Sequence, residues 1–516
     1  MDTNNKNTLN VHTAASIEPG ALTLTADVVV IGSGAGGAIN AYELAKQGKK
    51  VIVLEAGPYV TSSEFKEMMA VAMGKLYQDE GGQSNTNGDI SILQGRCVGG
   101  STVVNAALCF RTPDYYLELW QNKFGLTSLT SEAMAPYFDK IEKNLHITPN
   151  AAHETSAGAA YISKGLNKLN IEIGNAKRNI KDCALTGFCF SGCKTDRKQS
   201  MLVTYLPWAC NHGAEIYADT MVTKINTEAG QVTGVEAEVI DASNKTTKTR
   251  VKVSAPIVVL AAGPIQSPII LQQSGICNSS GQVGKNFACH PSLSVTAMFD
   301  TPINDFHGAT HSLFVDQHTL PEEGGYLLLN AIQEPVEACA QVEPGTGQPY
   351  VSYMEKYRNS LRLITLIHDK NVGEVSIKEG VKKIIYDVDD QDFESMKQGL
   401  KYNARILFAA GADHLYLPTS DRTIIEKESD IDTVIDALKN EKARYRYTSF
   451  HPQGTCRMGA DPTASVVSPS GETHDVKRLY IADASILPTS IGYNPSETVY
   501  ALSSYIADQI IIQNFS

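Results

Sequence analysis

The stretch from Asp27 to Glu55 constrains this chain more than any other. Val28-Val29-Val30-Ile31 is an all-apolar run of the kind that forms a strand buried on both faces. Gly32-Ser33-Gly34-Ala35-Gly36-Gly37 follows, and Ala38, Ala41, Leu44 and Ala45 then recur at helical spacing until Gly48. Val51-Ile52-Val53-Leu54 is a second apolar strand, and an acid, Glu55, ends it. The pattern is a βαβ unit of about 30 residues. In such a unit Gly32 permits the tight turn, Gly34 lets bare backbone approach a pyrophosphate, and Gly37 lets helix and strand pack closely. The helix N-terminus faces the phosphate charge. Glu55 is placed to accept hydrogen bonds from ribose hydroxyls and to repel a 2′-phosphate. A glycine string alone occurs in many turns. The flanking strands, the helix and the terminal acid together make it a dinucleotide site, without separating NAD from FAD.

At 516 residues the chain has room for two or three domains. Its net charge, 44 − 56 = −12, excludes the basic footprint of a nucleic-acid binder. No apolar run approaches the ~18 residues of a membrane helix. Met1 to Asn10 is polar and lacks a signal-peptide pattern, so a cytoplasmic or peripheral membrane location is expected, with export alongside a partner left open. Residues 1–22 read as a loose polar arm. Residues 222–253 alternate as antiparallel strands and turns, and Ile257-Val258-Val259-Leu260 reads as another buried strand. A long helical pattern runs from Asp389 to Ala410, with Gly411 suited to cap it. Arg478 to Asp483 reads as a late strand, and a final helix is expected over Tyr493 to Gln513, beginning with Asn494-Pro495 and with Pro at its first turn.

Further motifs carry a family resemblance. Residues 95–105, Gly-Arg-Cys-Val-Gly-Gly-Ser-Thr-Val-Val-Asn, resemble the first signature of the glucose–methanol–choline (GMC) oxidoreductases, and residues 263–276 resemble the second. His451-Pro452-Gln453-Gly454-Thr455 and Asn494-Pro495-x-x-Thr498 are similar to the C-terminal active-site segments of that family, and Gly284-Lys285-Asn286-Phe287 and His290-Pro291 fit it in order and spacing. The resemblance spans Asp27 to Asp508. Two departures mark a divergent branch: Cys109 stands where the first signature has an aromatic, with Phe110 one residue later, and Cys277 ends the second signature in place of Gly.

Membership would imply FAD. It would also imply an α/β chain, α+β overall, in which a Rossmann-type FAD-binding domain (24–140, 215–300 and 450–516) holds an inserted antiparallel-sheet substrate or cap region (141–214 and 301–449) behind the arm of residues 1–23. The cofactor set that the resemblance implies is Gly32, Gly34, Gly37, Glu55, Gly99, Gly100, Ser101, Thr102, Asn105, Val222, Asp483 and Thr498. For Asp483 a turn cap is the alternative role. Relatives that link FAD covalently use a His just before the signature Asn; Val104 stands there, so non-covalent FAD is expected.

Oxidising an alcohol removes a proton from the hydroxyl and a hydride from the carbon. The flavin takes the hydride at N5, and a histidine is the natural base. By the family motif that base is His451, and Asn494, whose amide both donates and accepts, positions the substrate oxygen. An N-cap role for Asn494 is the competing reading, and His290 reads as structural. Phe110-Arg111-Thr112-Pro113 resembles long-chain alcohol and sterol-type branches, which favours an apolar or bulky alcohol. Cys183-x5-Cys189-x3-Cys193 resembles the loop of bacterial FAD-dependent glucose and fructose dehydrogenases that carry a three-iron [3Fe-4S] cluster. That cluster would favour a sugar or polyol dehydrogenase passing electrons to a protein or quinone acceptor. Structural thiols, a disulfide or another metal are the alternatives for the three cysteines, and a non-oxidative flavoenzyme or a flavin-binding module remain alternatives for the whole.

Overall fold

The computed structural model describes residues 9–241, 246–332, 334–335, 338 and 347–516. Its first layer is a six-stranded, all-parallel sheet ordered Val11–His12, Glu215–Tyr217, Val51–Leu54, Val28–Ile31, Ile257–Leu260, Leu479–Ile481. The four central and late strands, 28–31, 51–54, 257–260 and 479–481, are apolar at every position and wholly buried, as a sheet covered on both faces requires. The helix Ala35–Lys46 covers one face and packs on Ser496–Phe515 and Tyr205–Asn211.

The N-terminal arm is a correction. Val11–His12 pairs with Glu215–Tyr217 at the edge of the parallel sheet, and Ala21–Thr25 pairs with Thr246–Ser254. Edge strands exposed on one side need little apolar patterning, so these read as polar arm. Ala21–Thr25 completes a four-stranded sheet with Thr220–Glu228, Gln231–Ile240 and Thr246–Ser254.

The second large layer is a nine-stranded sheet. Ser292–Met298 lies at its centre, flanked by His414–Tyr416 and by Ser360–Ile367, which continues into Tyr326–Ala331 and Leu313–Val315. This sheet takes in Ser292, nine residues before residue 301, where the second part of the inserted region is expected to start. It also takes in one strand from outside that region, Ile90–Ile92, which pairs with Tyr447–Ser449. The 20-residue helix Asp390–Ala409, capped by Asp389 and followed by Gly411 at φ +102°, packs on the sheet. The final helix begins at Ser496, two residues beyond Asn494, with Pro495 at the N-cap. Asn494 therefore caps nothing. Among the described residues no helix is long and apolar enough to cross a membrane.

Candidate active site

A cavity of about 480 Å³ runs between the parallel sheet and the antiparallel one. At one end it touches Gly32, Gly34, Glu55 and Val222; at the other it touches His451, Asn494 and the side chains of Ser292, Ile364 and Leu366. Alternation on the antiparallel strands puts Ile364 and Leu366 on one face, so that face forms a wall of the cavity.

The dinucleotide end is built around one buried carboxylate. Glu55 accepts from Ser33 N (2.9 Å), Ser33 Oγ (2.6 Å) and Gly57 N (2.8 Å). Burial raises its pKa above the ordinary range, against the pull of those donors. Ser33 Oγ also accepts from Gly99 N at 3.0 Å. One hydroxyl thus ties the first glycine turn, the acid and the second glycine loop together. Nothing in the spacing singled out Ser33; its place between two motif glycines was the available signal.

The glycines do as their positions require. A Cβ on Gly100, which sits at φ +56°, would lie 2.7 Å from the Cα of Gly34, so two bare backbones meet at the cavity wall. A Cβ on Gly37 would lie 1.9 Å from the carbonyl oxygen of Gly32, which is the close helix–strand contact expected. Gly37 and Gly99 shape the cavity from behind, whereas Gly100, Ser101, Thr102 and Asn105 line it. Thr102 Oγ1 donates to Gly99 O (2.6 Å) and closes the loop. Asp483 lines the cavity and accepts from Gly263 N (2.9 Å), Ser267 Oγ (2.6 Å) and, as cap of the short turn 484–486, from Ser485 N (2.8 Å). The turn-cap role weighed for it is therefore present, in a residue that also lines the cavity. Thr498 is different: its hydroxyl is buried against Thr112 Oγ1 at 2.8 Å, and it does not reach the cavity.

At the other end, Asn494 Nδ2 stands 3.0 Å from His451 Nε2. With the amide nitrogen towards it, Nε2 is the acceptor of that bond; the other ring nitrogen is Nδ1. That nitrogen faces His290 Nδ1 at 3.3 Å. His290 has no solvent contact, and Ser490 Oγ (2.8 Å), Gln453 Nε2 (3.0 Å) and the Gly492 N–H (3.1 Å) gather at its Nε2. Ser490 in turn donates to Asp369 Oδ2 (3.1 Å), which also accepts from His290 N (2.8 Å). Burial, with His290 and His311 adding, holds His451 well below the ordinary histidine pKa, so the ring is neutral and its lone pair is available. Asn494 Oδ1 is buried with no partner, and Asn494 lines the cavity. An orphaned acceptor beside an unprotonated imidazole is a seat for a hydroxyl. Tyr500, whose buried hydroxyl also lacks a hydrogen-bond partner, lines the same cavity; its place two residues after Thr498 is the only sequence cue to it.

The cysteine loop departs from the metal-centre expectation. Among the described residues no group of three or more His, Cys, Asp or Glu is gathered to hold a metal ion, and Cys183, Cys189 and Cys193 are free. Two buried cationic residues, Arg178 and Lys198, lie beside the loop. Cys183 Sγ lies 4.0 Å from Arg178, Cys193 Sγ accepts from Lys198 N at 3.4 Å, and the Lys198 ammonium binds the Cys189 carbonyl at 2.7 Å. Spacing alone could not show those two buried cations, which disfavour a metal.

A parallel sheet with a glycine cradle and a buried acid, joined to a histidine–asparagine pair across one cavity, is the layout of a dinucleotide-binding enzyme. Residues 27–77 match an FAD binding domain, and residues 73–292 and 370–503 match the GMC oxidoreductase family. A GMC-type oxidoreductase of Sinorhizobium fredii is 30% identical over 94% of this chain and 95% of its own length. A long-chain-alcohol oxidase of Arabidopsis thaliana is 29% identical over 96% of this chain and 69% of its own. Among solved structures, formate oxidase of Aspergillus oryzae superposes with a TM-score of 0.70 at 16% identity, over 96% of this chain and 99% of that one. Pyridoxine 4-oxidase from Mesorbium loti gives 0.67 at 19% identity, over 94% and 98%. The chain belongs to the GMC oxidoreductase family and is an FAD-binding enzyme.

Proposed function

We propose that this enzyme oxidises the CH–OH group of an alcohol with an apolar body. His451 receives the hydroxyl proton, and Asn494 holds the substrate oxygen. The observation that carries the reading is the pairing of an unpartnered Asn494 Oδ1 with a neutral His451 at one cavity. FAD, held non-covalently, supplies the hydride acceptor when bound. The cavity suits it: bare Gly34 and Gly100 leave room for a pyrophosphate, Glu55 is placed for ribose hydroxyls, and the remaining volume reaches the histidine.

This chain's residues then act in order. The cavity wall of Ile364, Leu366 and Leu329 excludes water from an apolar substrate. A substrate hydroxyl seated between His451 Nε2 and the Asn494 amide displaces their mutual hydrogen bond and offers its proton to the imidazole. The positive charge that results lies next to His290, whose Ser490–Asp369 connection leads to a buried carboxylate. Stabilising a transient imidazolium is the role we assign to Asp369.

The apolar wall and the long-chain-alcohol oxidase relative support an apolar substrate over a sugar. The same oxidase relative makes dioxygen the acceptor we favour. A purified enzyme tested with 1-decanol, benzyl alcohol and glucose, while oxygen uptake and artificial-acceptor reduction are followed, should consume oxygen with 1-decanol. Turnover with glucose alone would overturn the substrate reading. Acceptor reduction with no oxygen uptake would overturn the choice of dioxygen.

A further inference from the structure

Phe190 and Phe450 come from distant parts of the chain and meet at this cavity. Their rings stack with centroids 5.5 Å apart at 28°, and both line the cavity. Phe450 directly precedes His451 and is 37% exposed, so the stacked pair stands where the cavity meets solvent. On its inner side Phe190 presents an edge contact to the buried His311, with centroids 6.4 Å apart at 84°.

The backbone carrying Phe190 is tied down. Tyr77 Oη donates to the Phe190 carbonyl at 2.7 Å. Lys198, 1% exposed, donates from Nζ to Cys189 O (2.7 Å), Val103 O (2.7 Å) and Asn105 O (2.8 Å), joining the cysteine loop to the end of the first GMC signature. Gly192, at φ +90°, is locked in turn, since a Cβ there would lie 2.7 Å from the Phe65 ring. With the main chain held on both sides, rotation of the two side chains is the motion left to open the pair.

We propose that Phe190 and Phe450 form an aromatic gate on the substrate cavity, and that Phe190 sets the width of the alcohol that passes. The gate also gives the cysteine loop its purpose here: the loop is a rigid bracket that presents Phe190, and Lys198 is its anchor. The proposal rests on the alcohol-oxidase reading of the same cavity.

The test compares linear 1-decanol with bulky 1-adamantanemethanol in the holoenzyme, for wild type, Phe190→Ala, Phe190→Tyr and Phe450→Ala. Calorimetric binding of two unreactive amides, decanamide and adamantane-1-carboxamide, runs in parallel. Phe190→Ala should raise kcat/KM for the bulky alcohol relative to 1-decanol at least tenfold, through KM. It should tighten adamantane-1-carboxamide at least fivefold and leave decanamide within twofold. Phe190→Tyr should keep the wild-type ratios, and Phe450→Ala should act as Phe190→Ala does. If the alanine variants fold poorly, Phe190→Leu should shift the same ratios in the same direction by a smaller factor. Bulky-to-linear ratios unmoved within twofold in every truncated variant, for alcohols and amides alike, would overturn the gate. Amide ratios that shift while no alcohol is oxidised would instead overturn the reaction and leave the gate standing.

Discussion

Replacing Glu55 by Gln tests the dinucleotide site with almost no change in shape. The carboxylate meets three donors: Ser33 N–H and Ser33 O–H on one oxygen, and Gly57 N–H on the other. A glutamine that keeps its oxygen towards Ser33 turns an NH2 towards the Gly57 N–H. Two donors then face each other in a fully buried place, and the charge that strengthened all three bonds is gone. Leaving one buried donor unmatched costs about 1–3 kcal/mol, and hydrogen bonds to charged groups contribute about 1.5–3 kcal/mol each. The acid is also the expected partner of the ribose hydroxyls, so cofactor binding should register a loss of that order. A loss of about 1.5–3 kcal/mol is roughly a 10- to 100-fold weaker affinity. The assay is titration of apoenzyme with FAD, followed by quenching of flavin fluorescence, with circular dichroism to confirm the fold. A folded Glu55→Gln protein that binds FAD within twofold of wild type would refute the assignment of Glu55 to the cofactor.

Other consequences follow from the same geometry. Gly36→Ala should abolish folding or FAD uptake, because its Cβ would fall 1.4 Å from the Ala482 carbonyl oxygen; soluble holoenzyme at wild-type yield would contradict this close approach. Glu497 is buried beside Glu142, with Arg111 and Lys177 near, and burial raises its pKa to about 8. Between the ordinary value of 4.5 and about 8 the folded chain holds a proton that the unfolded chain has released, so this group makes stability fall as pH rises through that window. Thermal melts of Glu497→Gln should lose that part of the slope; an unchanged slope would deny the buried, protonated acid. Replacing Cys183, Cys189 and Cys193 together by Ser should leave FAD content within a few per cent and remove no iron, and iron in anaerobically purified wild type would reopen the cluster.

How much of this could be read from the chain depended on the range of each signal. The βαβ unit was legible because its apolar runs and glycines are local and periodic, and Glu55 and Gly100 stand where their spacing put them. His451 and Asn494 were legible as motif residues, yet what makes His451 neutral was not. Burial, His290 and His311 hold it so, and those two histidines stand far upstream in sequence and meet it only through the fold. Thr498 belonged to a matching motif but faces Thr112, because its place on the final helix turns it away from the cavity. The cysteines misled for a related reason: spacing shows which thiols could meet, but not that Lys198 and Arg178 stand beside them. Val11–His12 was hidden because a two-residue edge strand leaves no periodicity to find.

The central claim is that His451 takes the substrate proton. The most direct test is anaerobic stopped-flow reduction of bound flavin by 1-decanol in wild type and in His451→Ala, with FAD content matched. A positioned base contributes roughly 10²- to 10⁴-fold. The account predicts that the variant binds FAD normally and that its flavin bleaches slower by a factor in that range. Flavin reduction in His451→Ala at the wild-type rate would contradict it.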